Sequence, residues 1–351
     1  MKTFVKKLLL YSLCVGVFVA GLGVFAYNHF KIYRFKNINL QNLHTALQTL
    51  EVEHSSERFV YSSAKCDFNP YFAVGGGDLN SQNPLSKTDK HSNSNNLSEN
   101  LSVLSNADFF IAHAGGGLIK NGEIFAYTNS KEALLQSINE GFKFIELDLM
   151  LDEDGEIFAA HDYEHFYRIT GAKFDDKNAS LPPSKAYLAN ARIYGYFTPL
   201  NARDINEIFN QNPSVYLVTD KLDDFKAFAM QFDFKDRLLV EVFSTRDYFK
   251  ARKMGLKYPM FCVWDSTEAL ETAMRLKIPM ITAHTKLLQH KSGEKLARKY
   301  IENGGCIMMF SSNDKAFINK HKGKSATKFY TDFYDIRADK CKLDEKECKT
   351  Y

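Results

Sequence analysis

The sequence predicts an α/β protein folded as a closed (β/α)8 TIM barrel, preceded by an N-terminal transmembrane or signal-anchor helix. Three observations carry this. Eight short apolar runs rich in β-branched and aromatic residues recur between Phe109 and Asp332. Amphipathic helical patterns separate most of them, the alternation that builds parallel sheets. An uncharged stretch near the start of the chain matches the thickness of a bilayer.

The chain has 351 residues, 45% of them hydrophobic, enough to bury a full core. A net charge of +3, without a basic run or an Arg-rich stripe, argues against nucleic acid as a partner. At the N-terminus, Lys2, Lys6 and Lys7 precede the uncharged segment Leu8 to Tyr27. As a helix that segment is about 30 Å long. It reads as an export signal or an anchor: Val24 and Ala26 suit a signal peptidase, but the apolar run is long for a cleaved signal. A retained anchor is favoured, with the remainder of the chain periplasmic or otherwise extracytoplasmic.

Five segments follow: an anchor over 1–36, a helical extension over 37–74, a linker over 75–107, the barrel over 108–335 and a polar tail over 336–351. In the extension, Leu40, Leu43, Leu47 and Leu50 recur at helical spacing. The linker is rich in Ser, Asn, Gly and Lys, too polar to offset the entropy of ordering. The predicted strands are "FFIA", "KFIELDLM", "VYLVTD", "LLVEVF", "MFCVW", "PMITA", "CIMMF" and "KFYTD". The predicted helices between them include "SKEALLQSINEG", "DDFKAFAMQF", "STEALETAMRLK" and "HKSGEKLARKYIENGG". An excursion from Tyr163 to Asn212 has no place in the repeat and is expected to roof the mouth, where barrel chemistry resides.

Of six cysteines, Cys14 lies in the apolar segment, while Cys262 and Cys306 read as inert core residues. Cys66, Cys341 and Cys348 could form one disulfide in an oxidising compartment, and none of the six has zinc-site spacing. "DKNAS" around Asn178 carries an Asn-x-Ser sequon.

The chemistry concentrates in "FIELDLMLDEDGEIFAAHD". Glu146 and Asp148 are two apart on an apolar strand, so they share a face, and two buried carboxylates repel unless a cation or proton lies between them. Asp154-Gly155 predicts a hairpin that returns His161 beside these acids. His113 follows the first strand and Asp220 ends the third, which brings all five groups to one rim. Hard oxygen ligands suit Ca²⁺ or Mg²⁺, and paired imidazoles can exchange roles as acid and base. Gly115 to Gly117 would let backbone approach an anion or adopt left-handed turns. Strand ends add Glu241, Trp264, Asp265 and His284 to the rim, Trp264 as a wall for an acyl or headgroup pocket.

The ordered set "AHAGG", "YTNS", "IELDLMLDEDGEIFAAHD" resembles the glycerophosphodiester phosphodiesterases, relatives of the phosphatidylinositol-specific phospholipases C. The match is close from Phe109 to Asp162 and elsewhere rests on rhythm and the closing "FYTD". The resemblance implies a barrel that hydrolyses phosphodiesters, with Glu146, Asp148 and Asp220 holding a divalent cation and His113 and His161 as the acid–base pair. Three positions depart from the pattern. Ala114 stands where the family places a phosphate-binding Arg. "YTNS" keeps Asn129 but has Thr128 at an acidic position. Asp220-Lys221 replaces Glu-x-Lys, which would put lysine at Leu222. Lys221 is therefore the candidate to replace the lost cationic contact, with Gly115 and Asn129 as further substrate contacts. Two other readings stay open: a phospholipase acting on intact lipid beside its own membrane, and a catalytically silent envelope barrel that binds a phosphorylated headgroup or a partner.

Overall fold

A computed structural model describes residues 106–172 and 180–349. The expected anchor, helical extension, Cys66, Asn178 and all but the end of the linker lie outside the described residues. Among the described residues no helix is long and apolar enough to cross a membrane.

The chain enters through β1 (Phe110–Ala112), a hairpin of β2 (Leu118–Lys120) and β3 (Glu123–Phe125), and helix α1 (Lys131–Glu140). Next come β4 (Phe144–Leu151), β5 (Ile157–Ala159), α2 (Tyr163–Ile169), α3 (Lys185–Asn190) and α4 (Ala202–Gln211). The regular alternation then runs through β6 (Tyr216–Asp220), α5 (Phe225–Gln231), β7 (Leu238–Val242), α6 (Thr245–Lys253), β8 (Tyr258–Cys262) and α7 (Thr267–Arg275). It continues with β9 (Met280–His284), α8 (Lys291–Glu302), β10 (Cys306–Phe310), α9 (Lys315–His321) and β11 (Lys328–Thr331). A short hairpin, β12 (Tyr334–Asp335) and β13 (Lys340–Cys341), and the turn of helix α10 (Glu345–Cys348) complete it.

Strands β1, β4, β6, β7, β8, β9, β10 and β11 pair in parallel in that order, and β1 also pairs with β11, so the sheet closes. All eight predicted strands are the eight barrel strands. Their inward residues, among them Ile111, Phe144, Val218, Leu239, Met260 and Met308, fill the interior as a packed core. Side-chain caps start the outer helices: Ser130, Asn201, Ser244 and Ser266 each accept a backbone N–H from the first turn.

One expectation needs correction. The excursion from Tyr163 to Asn212 is only partly an insertion, because α4 buries Ile205, Ile208 and Phe209 and serves as the regular crossover between β4 and β6. The inserted part packs Phe166, Tyr167, Ile193 and Phe197 against Leu118 and Phe125 of the β2–β3 hairpin, a satellite core beside the rim. The polar tail packs against the barrel. Ile336 is buried, Lys342 pairs with Glu140, Arg337 donates to the carbonyl of Asn139, and Cys341 and Cys348 form the disulfide. Cys262 is a buried free thiol, and Cys306 is buried in the barrel core at the start of β10, as read from the sequence.

The glycine run behind His113 turns the chain sharply at the barrel seam. Ala114, Gly115 and Gly116 all have left-handed or otherwise positive φ, at 49°, 84° and 100°. The amides of Gly116 and Gly117 donate to the carbonyls of His113 and Asp332, so they close the turn and the seam instead of facing an anion. Gly117 has no room for a side chain: an added Cβ would lie 2.2 Å from the ring of Phe333. Gly117→Ala is therefore expected to lower stability by about 1–3 kcal/mol through overpacking, read as a fall in the urea midpoint at unchanged slope.

Candidate active site

The site lies at the C-terminal mouth of the barrel, on the side formed by β1, β4 and β6. Glu146 and Asp148 point inward from β4, and the parallel register sets Asp148 beside Asp220 on β6. One oxygen from each of Glu146, Asp148 and Asp220 lies within 4.8 Å of the others. Glu146 and Asp148 are almost fully buried.

Each acid is held differently. Glu146 Oε2 accepts the backbone N–H of Ala114 at 2.6 Å. Asp148 is clamped by Asn129, whose Nδ2 donates to Asp148 Oδ2 at 2.9 Å while its Oδ1 accepts the Asp148 amide. Lys221 Nζ contacts Asp148 Oδ1 at 3.1 Å and also pairs with Asp220 Oδ2. Asp220 Oδ1 is buried without a hydrogen-bond partner. Burial pushes the Glu146 carboxyl up to about 8, with the charge of Asp148 adding to the effect. Burial and Asp148 raise Asp220 as well. For Asp148 burial works upward, but Lys221, Asp220 and Asn129 outweigh it and hold it near 2. An orphaned carboxylate oxygen and three hard oxygen donors on adjacent strands fit a divalent cation.

The histidines flank these acids. His113 Nδ1 lies 3.1 Å from Asp332 Oδ1, and Asp332 is itself buried at the end of β11. Burial alone would depress this imidazole, but the charges of Asp332, Glu146 and Asp148 prevail and raise it to about 9. His161 Nδ1 pairs with Asp162 Oδ2 at 2.6 Å. The ring of Tyr127 stands between the two, edge-on to both, with centroids 4.5 Å from His113 and 5.8 Å from His161. The predicted hairpin delivers His161 as expected: Leu151 pairs with Ile157, and Gly155 takes positive φ in the turn.

Other predicted residues divide into two groups. Asn129 and Lys221 join the acids, both with left-handed backbones, and Glu241 on β7 is buried with its carboxyl raised by burial. Trp264 is 48% exposed at the far side of the mouth, against Phe310 and near Phe243. His284 caps the turn after β9, its Nδ1 accepting the Lys286 amide. Gly115 packs behind the site against Ala133 and Leu147. Ala114 is fully buried, so its methyl offers nothing to a phosphate, though its amide orients Glu146. Sequence reasoning missed Asp332, Tyr127 and Asn313. Asn313 Oδ1 accepts the amides of Asp332 and Phe333 and so fixes the partner of His113. The Asp at the end of "KFYTD" was a usable signal, because closure puts the last strand beside the first.

No protein-family model matches the sequence, and neither does any curated protein. Solved structures do match. A glycerophosphodiester phosphodiesterase from Thermotoga maritima superposes with a TM-score of 0.51 at 14% identity, over 66% of this chain and 96% of its own. An Oleispira antarctica phosphodiesterase, solved with the product sn-glycerol-3-phosphate, gives 0.53 at 17% identity over 68% and 98%. A glycerophosphoryl diester phosphodiesterase from Agrobacterium tumefaciens gives 0.51 at 17% identity over 64% and 93%. The barrel of this chain has the fold of the glycerophosphodiester phosphodiesterases.

Proposed function

We propose that the protein is a phosphoric diester hydrolase of the glycerophosphodiester phosphodiesterase type, acting on a glycerophosphodiester or a related lipid headgroup. One observation carries the reading. Two histidines, each backed by a carboxylate, stand around Tyr127 next to a buried three-acid cluster at the mouth of this fold. A protein that merely bound a headgroup would have no use for such a pair. The glycerol phosphate bound by the Oleispira relative supports the substrate class.

Glu146, Asp148 and Asp220 would hold Ca²⁺ or Mg²⁺, which when bound neutralises a non-bridging phosphate oxygen and favours ionisation of the attacking hydroxyl. The remaining work falls to the chain. His161, oriented by Asp162, accepts the proton of the attacking hydroxyl, which belongs to water or to the substrate itself. His113, kept protonated by Asp332, donates its proton to the departing alkoxide oxygen as the P–O bond breaks. A free hydroxyl beside the phosphate, as in glycerol, would first give a cyclic phosphodiester that water then opens with the histidine roles reversed. Asn129 keeps Asp148 aligned. The aromatic side of the mouth, with Trp264 and Phe243, would face the alcohol or acyl portion. Placement at a membrane through the N-terminal segment would bring such substrates close.

Either His113→Ala or His161→Ala should lower kcat by about 10²–10⁴-fold on glycerophosphodiesters while cation uptake persists. Calorimetry and phosphate-ester product analysis check both halves, and absence of any chelator-sensitive product from diverse phosphodiesters would favour a silent barrel. Asp332→Asn tests the acid. His113 loses its proton as pH rises through about 9, so the alkaline limb of the rate profile belongs to it. Removing the Asp332 charge should move that limb to lower pH, and an unmoved limb would reassign the donor.

A further inference from the structure

Lys221 occupies a position that the proposed chemistry leaves unexplained. It directly follows the acid that ends β6, with φ of 64°, a left-handed backbone that a lysine adopts at a cost. That conformation turns its side chain back onto the cluster. Its ammonium bridges Asp148 and Asp220, contacting one oxygen on each. The other oxygen of Asp148 is taken by Asn129, and one oxygen of Glu146 by the Ala114 amide. The oxygens left are few, and Lys221 holds two that a divalent ion needs.

We propose that Lys221 is an internal counter-cation, which holds Asp148 and Asp220 when no divalent ion is bound and releases them on loading to contact a phosphoryl oxygen of the substrate. The inference rests on the hydrolase reading above. An ion coordinated by these carboxylates lies about 2.0–2.6 Å from their oxygens, too close to an ammonium on the same oxygens for both positive charges to stay. The displaced head has somewhere to go: the side chain is 27% exposed, and position 114 supplies no cation for phosphate. Cation and phosphate ester then assist each other, because the ester gives the released ammonium a new partner and so lowers the cost of displacing it. Such coupling is reciprocal.

Calorimetric titration of the full chain with CaCl₂ or MgCl₂, with and without sn-glycerol-3-phosphate, tests this in wild type and Lys221→Met. The variant should bind the cation about tenfold more tightly, and saturating sn-glycerol-3-phosphate should tighten cation binding about fivefold or more in wild type and by a clearly smaller factor in the variant. Equal or weaker cation binding by Lys221→Met, or an ester effect in it as large as in wild type, overturns the proposal and leaves the hydrolase reading intact. Uptake by neither protein defeats both. Should the variant fail to fold, acetic anhydride labelling of the native chain decides. Mass spectrometry should find Lys221 acetylated faster with the cation than with chelator, and an unchanged rate refutes displacement.

Discussion

Three carboxylates packed onto two adjacent strands of a barrel cannot all be ionised without help. With oxygens inside 4.8 Å of one another, each unscreened pair costs about 3–4 kcal/mol at an effective dielectric near 20. Three such pairs approach the 5–15 kcal/mol that stabilises a typical domain. The surrounding chain is organised around this repulsion. Asn129 and the Ala114 amide hold two acids by hydrogen bonds, Lys221 supplies one positive charge, and burial raises the Glu146 and Asp220 carboxyls. The same geometry that is unfavourable alone becomes favourable with a doubly charged ion, which is why such a cluster reads as a binding site and not as a structural feature.

The second constraint is the seam. His113 follows the first barrel strand, and its partner Asp332 follows the last. Their pairing exists only because β1 and β11 lie side by side. Gly116 and Gly117 close the turn on the same seam through His113 and Asp332 carbonyls, Phe333 fills the space that Gly117 leaves open, and Asn313 ties the amides of Asp332 and Phe333. The odd tripled glycine behind a histidine is thus explained by backbone geometry and by close packing of an aromatic ring. An anion cradle is not needed to account for it.

Much of this was legible in the sequence, and what was not has physical reasons. Strand positions were readable because parallel strands buried on both faces form continuous apolar runs, and all eight emerged. The Glu146, Asp148, Asp220 set was readable because period two and strand-end position together place acids on one rim. Asp332 and Asn313 act across more than 200 and about 20 residues respectively, and no local pattern reports such pairing. Helix α4 was hidden within an excursion whose first part carries two short helices, α2 and α3, that do not belong to the barrel repeat. In the polar tail, Lys342 and Arg337 are committed to Glu140 and Asn139 at the end of α1, contacts that no local pattern reports.

Ala114 and Lys221 are best understood together. Replacing a guanidinium by a methyl at position 114 removes the most direct phosphate contact suggested by the resemblance, but the buried backbone there still orients Glu146. A lysine one residue beyond Asp220, instead of two, reaches the acids because its backbone is left-handed. In a fully extended strand the adjacent position would emerge on the face opposite Asp220, and the position two beyond would share its face. Against the pattern of the resemblance, one cation is absent beside β1 and the lysine beside β6 is shifted by one residue, where it pairs with Asp148 and Asp220. Lys221 beside β6 and the His113 imidazole raised by Asp332 beside β1 thus place positive charge on both flanks of the acid cluster.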